Sequence, residues 1–300
     1  MQQKTREELV EKTASLKTLP KDLQMNLSDF ALFLTVMKVK EAYEDVLSII
    51  LDEPDLRLKE VKTEEVILNK SGKRAIRLDA WALDWNDRQF DMEMQNNSDN
   101  DNVRKRSRFY QGLIDTPILK SGKETRYKNL PSTIIIFITQ EDIFGKNLAM
   151  YTFSEQCEEV SGLALEDGTK KIFLNMASTN GRKELVSLLQ YMKNTTLDDP
   201  NNFITDERIQ SLHRIVEEVK QSEEWEAVKM GILEIGLERG MEAGMETGIE
   251  VGRKEAIVKT IEILKDMDLP DEEIKKKISM KYEMTQTDVE SIMKHISVSE

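Results

Sequence analysis

The chain has 300 residues, 33% charged and 39% hydrophobic, with 43 Lys and Arg against 56 Asp and Glu and a net charge of −13. That composition excludes a disordered or fibrous chain, and the acidity excludes a protein that coats nucleic acid indiscriminately. No apolar run reaches the roughly 18 residues of a membrane span, and the first residues lack a signal-peptide core. Cys157 is the only cysteine, so a reducing, cytoplasmic setting with no membrane partner is expected. His213 and His295 stand far apart with no Cys or His at ligand spacing, which argues against zinc and leaves oxygen ligands for any metal.

In chain order, residues 1–25 read as a polar arm. Two short amphipathic helices follow over about 28–38 and 41–52, with Ser28 or Asp29 as the first cap. Strands are expected over 58–68 and 74–83, separated by a turn at 69–72, and a third over 88–95 after the turn 85–88. The polar run NNSDNDN (96–102) supplies the N-cap of a helix over 102–119. STIIIFIT (132–139) is a continuous apolar run of the kind buried on both faces of a sheet. Strands near 148–153 and 170–175 and a helix near 182–193 complete a mixed α/β domain over 26–197.

The polar stretch Asp198–Asn202 marks a boundary, beyond which 203–300 reads as wholly helical. Residues 233–252 repeat an apolar–Glu–variable–Gly tetrad five times. A period of four against 3.6 drifts about 40° per repeat, so the glycines trace a spiral. The segment reads equally as a weak connector or as a helix through which copies of the chain associate. A helical hairpin follows, opened by Pro270, with Thr285 or Thr287 capping the last helix.

The stretch FDMEMQ (90–95) carries the chemistry. Its period-two alternation puts Phe90, Met92 and Met94 on one face and Asp91, Glu93 and Gln95 on the other. If strands 78–84 and 88–95 pair antiparallel around Trp85-Asn86-Asp87, Asp79 falls opposite Glu93, with Cβ atoms about 4.5–5.5 Å apart. Two acids so placed are either ordinary sheet-surface residues or the ligands of a divalent cation. Mg²⁺ takes one or two carboxylates, and an amide such as Gln95 beside them can orient a water or a phosphate oxygen. The window that follows is locally basic: 96–130 holds eight Lys/Arg against four Asp/Glu.

Asp79 and, across a hairpin, Glu93-Met94-Gln95 resemble the PD-(D/E)XK nuclease signature. More closely, the chain resembles the recombination-promoting nucleases and putative transposases of that fold, in which Gln commonly stands at the lysine position. The likeness extends to DFALF (29–33), RLDAWA (77–82), KRSRFYQGLID (105–115) and IIIFITQEDIFG (134–145), covers about 26–195, and includes the glycine tetrads. It implies a restriction-endonuclease-like α/β fold, a mixed central sheet flanked by helices with an all-helical C-terminal region. It further implies a Mg²⁺-dependent DNA endonuclease, with Mn²⁺ as a substitute, related to DNA recombination or transposition. Asp79 and Glu93 would hold the metal, and Gln95 would position water or phosphate. Superfamily members often add an acid from the first helix, for which Glu44, with Glu41 close behind, is the candidate. Arg104, Lys105, Arg106 and Arg108 would meet DNA phosphates, with Tyr110 beside Arg106 on the same helix face. The alternative is a nuclease-like module that binds DNA or assembles through its helical tail without cutting.

Overall fold

The computed structural model describes residues 25–69, 73–96, 102–119, 126–199, 202–203 and 205–298. The arm 1–24, most of the turn 69–72 and most of the polar run 96–102 therefore lie outside the described residues. In chain order come α1 (Phe30–Met37), α2 (Lys40–Leu51), β1 (Leu58–Ile67), β2 (Ile76–Asp84), β3 (Gln89–Gln95), α3 (Val103–Asp115), β4 (Thr133–Thr139), β5 (Met150–Phe153), β6 (Thr169–Asn175) and α4 (Lys183–Asn194). A short pair, β7 (Asp198–Asp199) with β8 (Asn202–Phe203), leads to α5 (Glu207–Lys220) and α6 (Glu223–Asp266). The chain ends in α7 (Asp271–Tyr282) and α8 (Gln286–Val298).

Six strands form one mixed sheet in the order β1-β2-β3-β4-β6-β5. β1, β2 and β3 are an antiparallel meander, β3, β4 and β6 run parallel, and β5 closes the far edge antiparallel to β6. All seven residues of β4 are buried, as the uninterrupted apolar run requires of a strand covered on both faces. Its alternation divides two cores. Ile134, Ile136 and Ile138 pack with Phe90, Met92 and Met94 against α1, α2, α4 and α5. Ile135 and Phe137 pack with Tyr110, Leu113 and Ile114 of α3 on the other face. Each such fully buried side chain contributes roughly 1.5–3 kcal/mol relative to an exposed one.

The β2–β3 register is the expected one: Ala80 pairs with Met92, Trp81 with Asp91, Ala82 with Phe90 and Leu83 with Gln89. The loop is held by Asp84, whose Oδ1 accepts from the N–H groups of Asn86 (2.9 Å) and Arg88 (2.7 Å). Asp87 supplies the left-handed residue (φ 56°) that a three-residue hairpin loop needs.

Three local readings differ from the structure. Asp29 stands at the N-cap position of α1, but its carboxylate accepts from Asn26 N–H (2.6 Å) instead of capping the helix. α3 ends at Asp115 and not 119, because Pro117 has no N–H to continue the ladder. The first compact unit runs to Val228 and not 197. Ile209, Leu212, Ile215 and Val216 of α5, with Trp225 of α6, share a core with α1 and α2. Apolar spacing marks a buried face on a helix, but not which core receives it.

The second unit begins at Lys229. Ile257 and Ile261 of α6 pack with Ile274 and Ile278 of α7 and Val289 and Met293 of α8. Thr285 caps α8, its Oγ1 accepting from Asp288 N–H (3.2 Å). The tetrads lie within α6, and a Cβ added at Gly244, Gly248 or Gly252 would meet nothing within 4 Å. Met241, Met245 and Ile249 on this stretch are exposed. Among the described residues no helix is long and apolar enough to cross a membrane.

Candidate functional site

β3 is an inner strand, with β2 on one side and β4 on the other, so the acidic face of FDMEMQ cannot be the wet side of a sheet edge. It is covered by α3. Asp91, Glu93 and Asp79 are 0%, 1% and 5% exposed. Three carboxylates in a desolvated pocket are a costly arrangement.

The backbone bends to build it. Along β2, Ile76 and Leu78 belong to the core under α3, whereas Ala80 and Ala82 belong to the opposite core. A regular strand would keep all four on one face, so the alternation slips by one residue at Asp79. β1 slips with it: Val61 and Ile67 pack in opposite cores, and Glu64 between them has φ 55°. At the slip, side chains replace the ladder. Asp79 N–H donates to Glu93 Oε1 (2.9 Å), and Met94 N–H donates to Asp79 Oδ2 (3.1 Å). Tyr43 of α2 holds the neighbouring backbone, its hydroxyl donating to the Ala80 carbonyl (2.7 Å).

α3 brings the counter-charge. Asn102 caps it, Oδ1 accepting from Lys105 N–H (3.0 Å). The first turn then carries the Arg106 guanidinium onto the site, where it pairs with Glu93 Oε2 and donates to Gln95 Oε1 (2.9 Å). The guanidinium carbon lies 4.9 Å from the Tyr110 ring centroid and 5.4 Å from that of Phe137. Two aromatic faces thus hold a cation against the acid. Burial pushes the Asp79 carboxyl up to about 6 against the pull of the Met94 amide and Arg106. Burial, then the Asp79 charge, pushes Glu93 up to about 7. Burial and the charges of Glu93 and Asp79 drive Asp91 well above the carboxylate range. Neither Asp91 oxygen meets a hydrogen-bond donor.

A raised carboxyl pKa favours the protonated folded state, so its stabilising contribution is full below the unfolded value and is lost as pH rises through the folded one. For Asp79 that window runs from about 4 to about 6. In EDTA, Asp79→Asn is therefore expected to gain about 1–3 kcal/mol over the parent at pH 8 and almost nothing at pH 4. Thermal melts at the two pH values check the sign.

The other expected site residues fall differently. Glu44 accepts from Leu58 N–H (2.7 Å) at the start of β1, and Leu58 pairs with Asp84 at the hairpin end of β2. That lies five residues, roughly 16 Å, along the strand from Asp79. Glu41 accepts from the Ser211 hydroxyl (3.2 Å). Neither reaches the carboxylates, because α2 points its acids at the strand start and at α5. The acid that does join them is Asp91, two residues before Glu93. Its signal was the alternation itself, which places both on one face. Lys105 and Arg108 are exposed. Arg104 lies over the Phe144 ring (4.5 Å) and donates to the Ile143 carbonyl. A cavity of about 460 Å³ at the hairpin end, lined by Glu53, Asp84 and Arg88 among others, is far from this chemistry. There Arg88 binds Glu53 through two bonds (2.9 and 2.6 Å) and Asp84 through a third (2.7 Å).

A family model described as PD-(D/E)XK nuclease family transposase matches residues 29–230. The chain belongs to that family. The match spans the whole sheet and continues through α5 into α6, which agrees with a first unit closing at Val228. The fold, a mixed six-stranded sheet between helices with a helical C-terminal region, is that of PD-(D/E)XK nucleases. No curated protein and no solved structure matches the chain. PD-(D/E)XK nucleases use divalent metals. Among the described residues no group of three or more His, Cys, Asp and Glu is arranged to hold one. The donors nevertheless suit Mg²⁺, which needs one or two carboxylates and keeps its waters. Asp79 and Glu93 could supply them, and both buried oxygens of Asp91 beside them lack a hydrogen-bond partner.

Proposed function

We propose that the chain is a metal-dependent DNA endonuclease acting at Asp79 and Glu93, in line with a family whose members are nucleases associated with transposition. The observation that carries this reading is the buried carboxylate pair, cross-bonded through the Asp79 and Met94 amides with a guanidinium at its side. A purely structural site would replace such a cluster with apolar residues at no loss of stability. Asp79 and Glu93 would hold Mg²⁺ or Mn²⁺. When bound, the cation polarises the scissile phosphate and lowers the pKa of an attacking water.

The chain's own groups do the rest. The Asp79–Met94 and Glu93–Asp79 bonds hold the two carboxylates in place before substrate arrives, which removes their reorganisation from the barrier. Burial drives the Asp91 carboxyl well above the carboxylate range, which favours its protonated form beside the two ligands. Arg106 supplies positive charge where Gln95 replaces the superfamily lysine, donating to phosphate oxygens as their charge develops. Gln95 orients Arg106, to which it is already bonded.

Incubating the protein with supercoiled plasmid under Mg²⁺, Mn²⁺ and EDTA tests the reading. Nicking in either metal and none in EDTA is expected, and intact plasmid in both metals would leave the binding-module reading. On the outward face of α3, Lys105 and Arg108 are placed to meet phosphates. Lys105→Ala with Arg108→Ala is expected to weaken binding to duplexes of any sequence and lower the salt slope by about 2, since each phosphate contact contributes about 0.9. An unchanged slope in a salt titration would mean that DNA approaches another face.

A further inference from the structure

Beside the carboxylates, α3 and the far half of the sheet enclose an open groove of about 420 Å³. Its floor is aromatic: Phe144, Phe153 and Phe173 lie with ring centroids 5.0–5.8 Å apart. Arg104 and Lys171 stand among its lining groups, with Ser154, Thr169 and Glu155. The Arg104 guanidinium covers one face of Phe144. Phe153, on the edge strand β5, is 44% exposed.

The groove is aligned with the site. Glu93 pairs with Phe137, Phe137 with Phe173, and Phe173 with Tyr151, one row across four strands. Neighbouring strands lie about 4.8 Å apart, so Phe173 is about 10 Å from Glu93 across the sheet. Phe137 and Phe173 stack at 5.8 Å with 15° between their planes, and Phe137 also backs Arg106. A strand whose phosphate reached the carboxylates would carry its neighbouring nucleotide over this floor.

We propose that the groove formed by Phe144, Phe153 and Phe173, with Arg104 and Lys171, binds an unpaired nucleobase of the DNA strand next to the scissile phosphate. The placement rests on the nuclease reading of Asp79 and Glu93; the stacking does not. A duplex keeps its base faces in its own stack, so only a single-stranded, flapped or unwound segment presents one to a protein ring. Arg104 and Lys171 neutralise the backbone as the face of Phe153 takes the base. Substrates with single-stranded character at the cut are therefore preferred over intact duplex.

The test uses the full chain in EDTA, where nothing is cut, with a single-stranded oligonucleotide carrying one 2-aminopurine and its duplex form. Quenching on binding is expected for the single strand. Phe153→Ala should weaken single-strand binding about 5- to 150-fold, the cost of one lost base–aromatic stack. It should leave duplex affinity at the parental value. Phe153→Leu, which keeps apolar bulk without a ring face, should show the same loss, and Phe153→Trp should restore binding. Parental single-strand affinity in Phe153→Ala and Phe153→Leu, or an equal loss on duplex, overturns the proposal. The plasmid assay in Mg²⁺ is read separately. Cutting without stacking sinks the groove and leaves the nuclease, and stacking without cutting does the reverse.

Discussion

Glu93→Gln is expected to reduce Mg²⁺-dependent plasmid cleavage by at least about 10³-fold, the several kcal/mol that a bound metal contributes to a phosphoryl-transfer transition state. The fold should survive. The glutamine oxygen can still accept from Asp79 N–H, the bond that replaces the ladder at the slip in β2. Removing one of the two charges should also relieve repulsion, because Glu93 is pushed up to about 7 by burial and then by Asp79. In EDTA at pH 8 the variant should melt no lower than the parent, while calorimetric Mg²⁺ titration shows weakened binding. A variant that cuts at the parental rate with Mg²⁺ would remove Glu93 from the chemistry and with it the proposed site.

Arg106→Ala is expected to lower cleavage at saturating Mg²⁺ by about 10²–10³-fold, the usual cost of losing one preorganised donor to developing charge. Metal binding should move the other way. In the metal-free protein Arg106 pairs with Glu93 and bonds Gln95, so it competes with any cation for the same oxygen. Alanine frees that oxygen, and Mg²⁺ should bind more tightly. Arg106→Lys should recover part of the rate, since lysine keeps the charge without the planar fork that reaches Glu93 and Gln95 together. A guanidinium that only neutralised the buried acid would predict parental cleavage once Mg²⁺ is saturating. Opposite shifts in rate and affinity separate the two roles.

Period-two alternation in FDMEMQ and the three-residue loop at Trp85-Asn86-Asp87 together determined, from sequence alone, that Asp91, Glu93 and Gln95 share a face and that Asp79 lies beside Glu93. These are local facts, set by the pleat and by turn geometry over fewer than twenty residues. The apolar run of β4 was equally legible, because only a strand covered on both faces tolerates five consecutive apolar residues, Ile134 to Ile138. Tertiary structure decided the rest. The acidic face became a buried pocket only because α3 closes over it through Tyr110, Leu113 and Ile114, contacts whose partners on β4 lie more than twenty residues away. Glu44 is one turn of α2 from other acids, yet the docking of that helix delivered it to Leu58 N–H, while Asp91 became the third acid. The slip at Asp79 required two cores pulling β2 to opposite faces. Burial free energy is non-directional, so spacing shows that a side chain will be covered, but the chain must fold before anything decides what covers it.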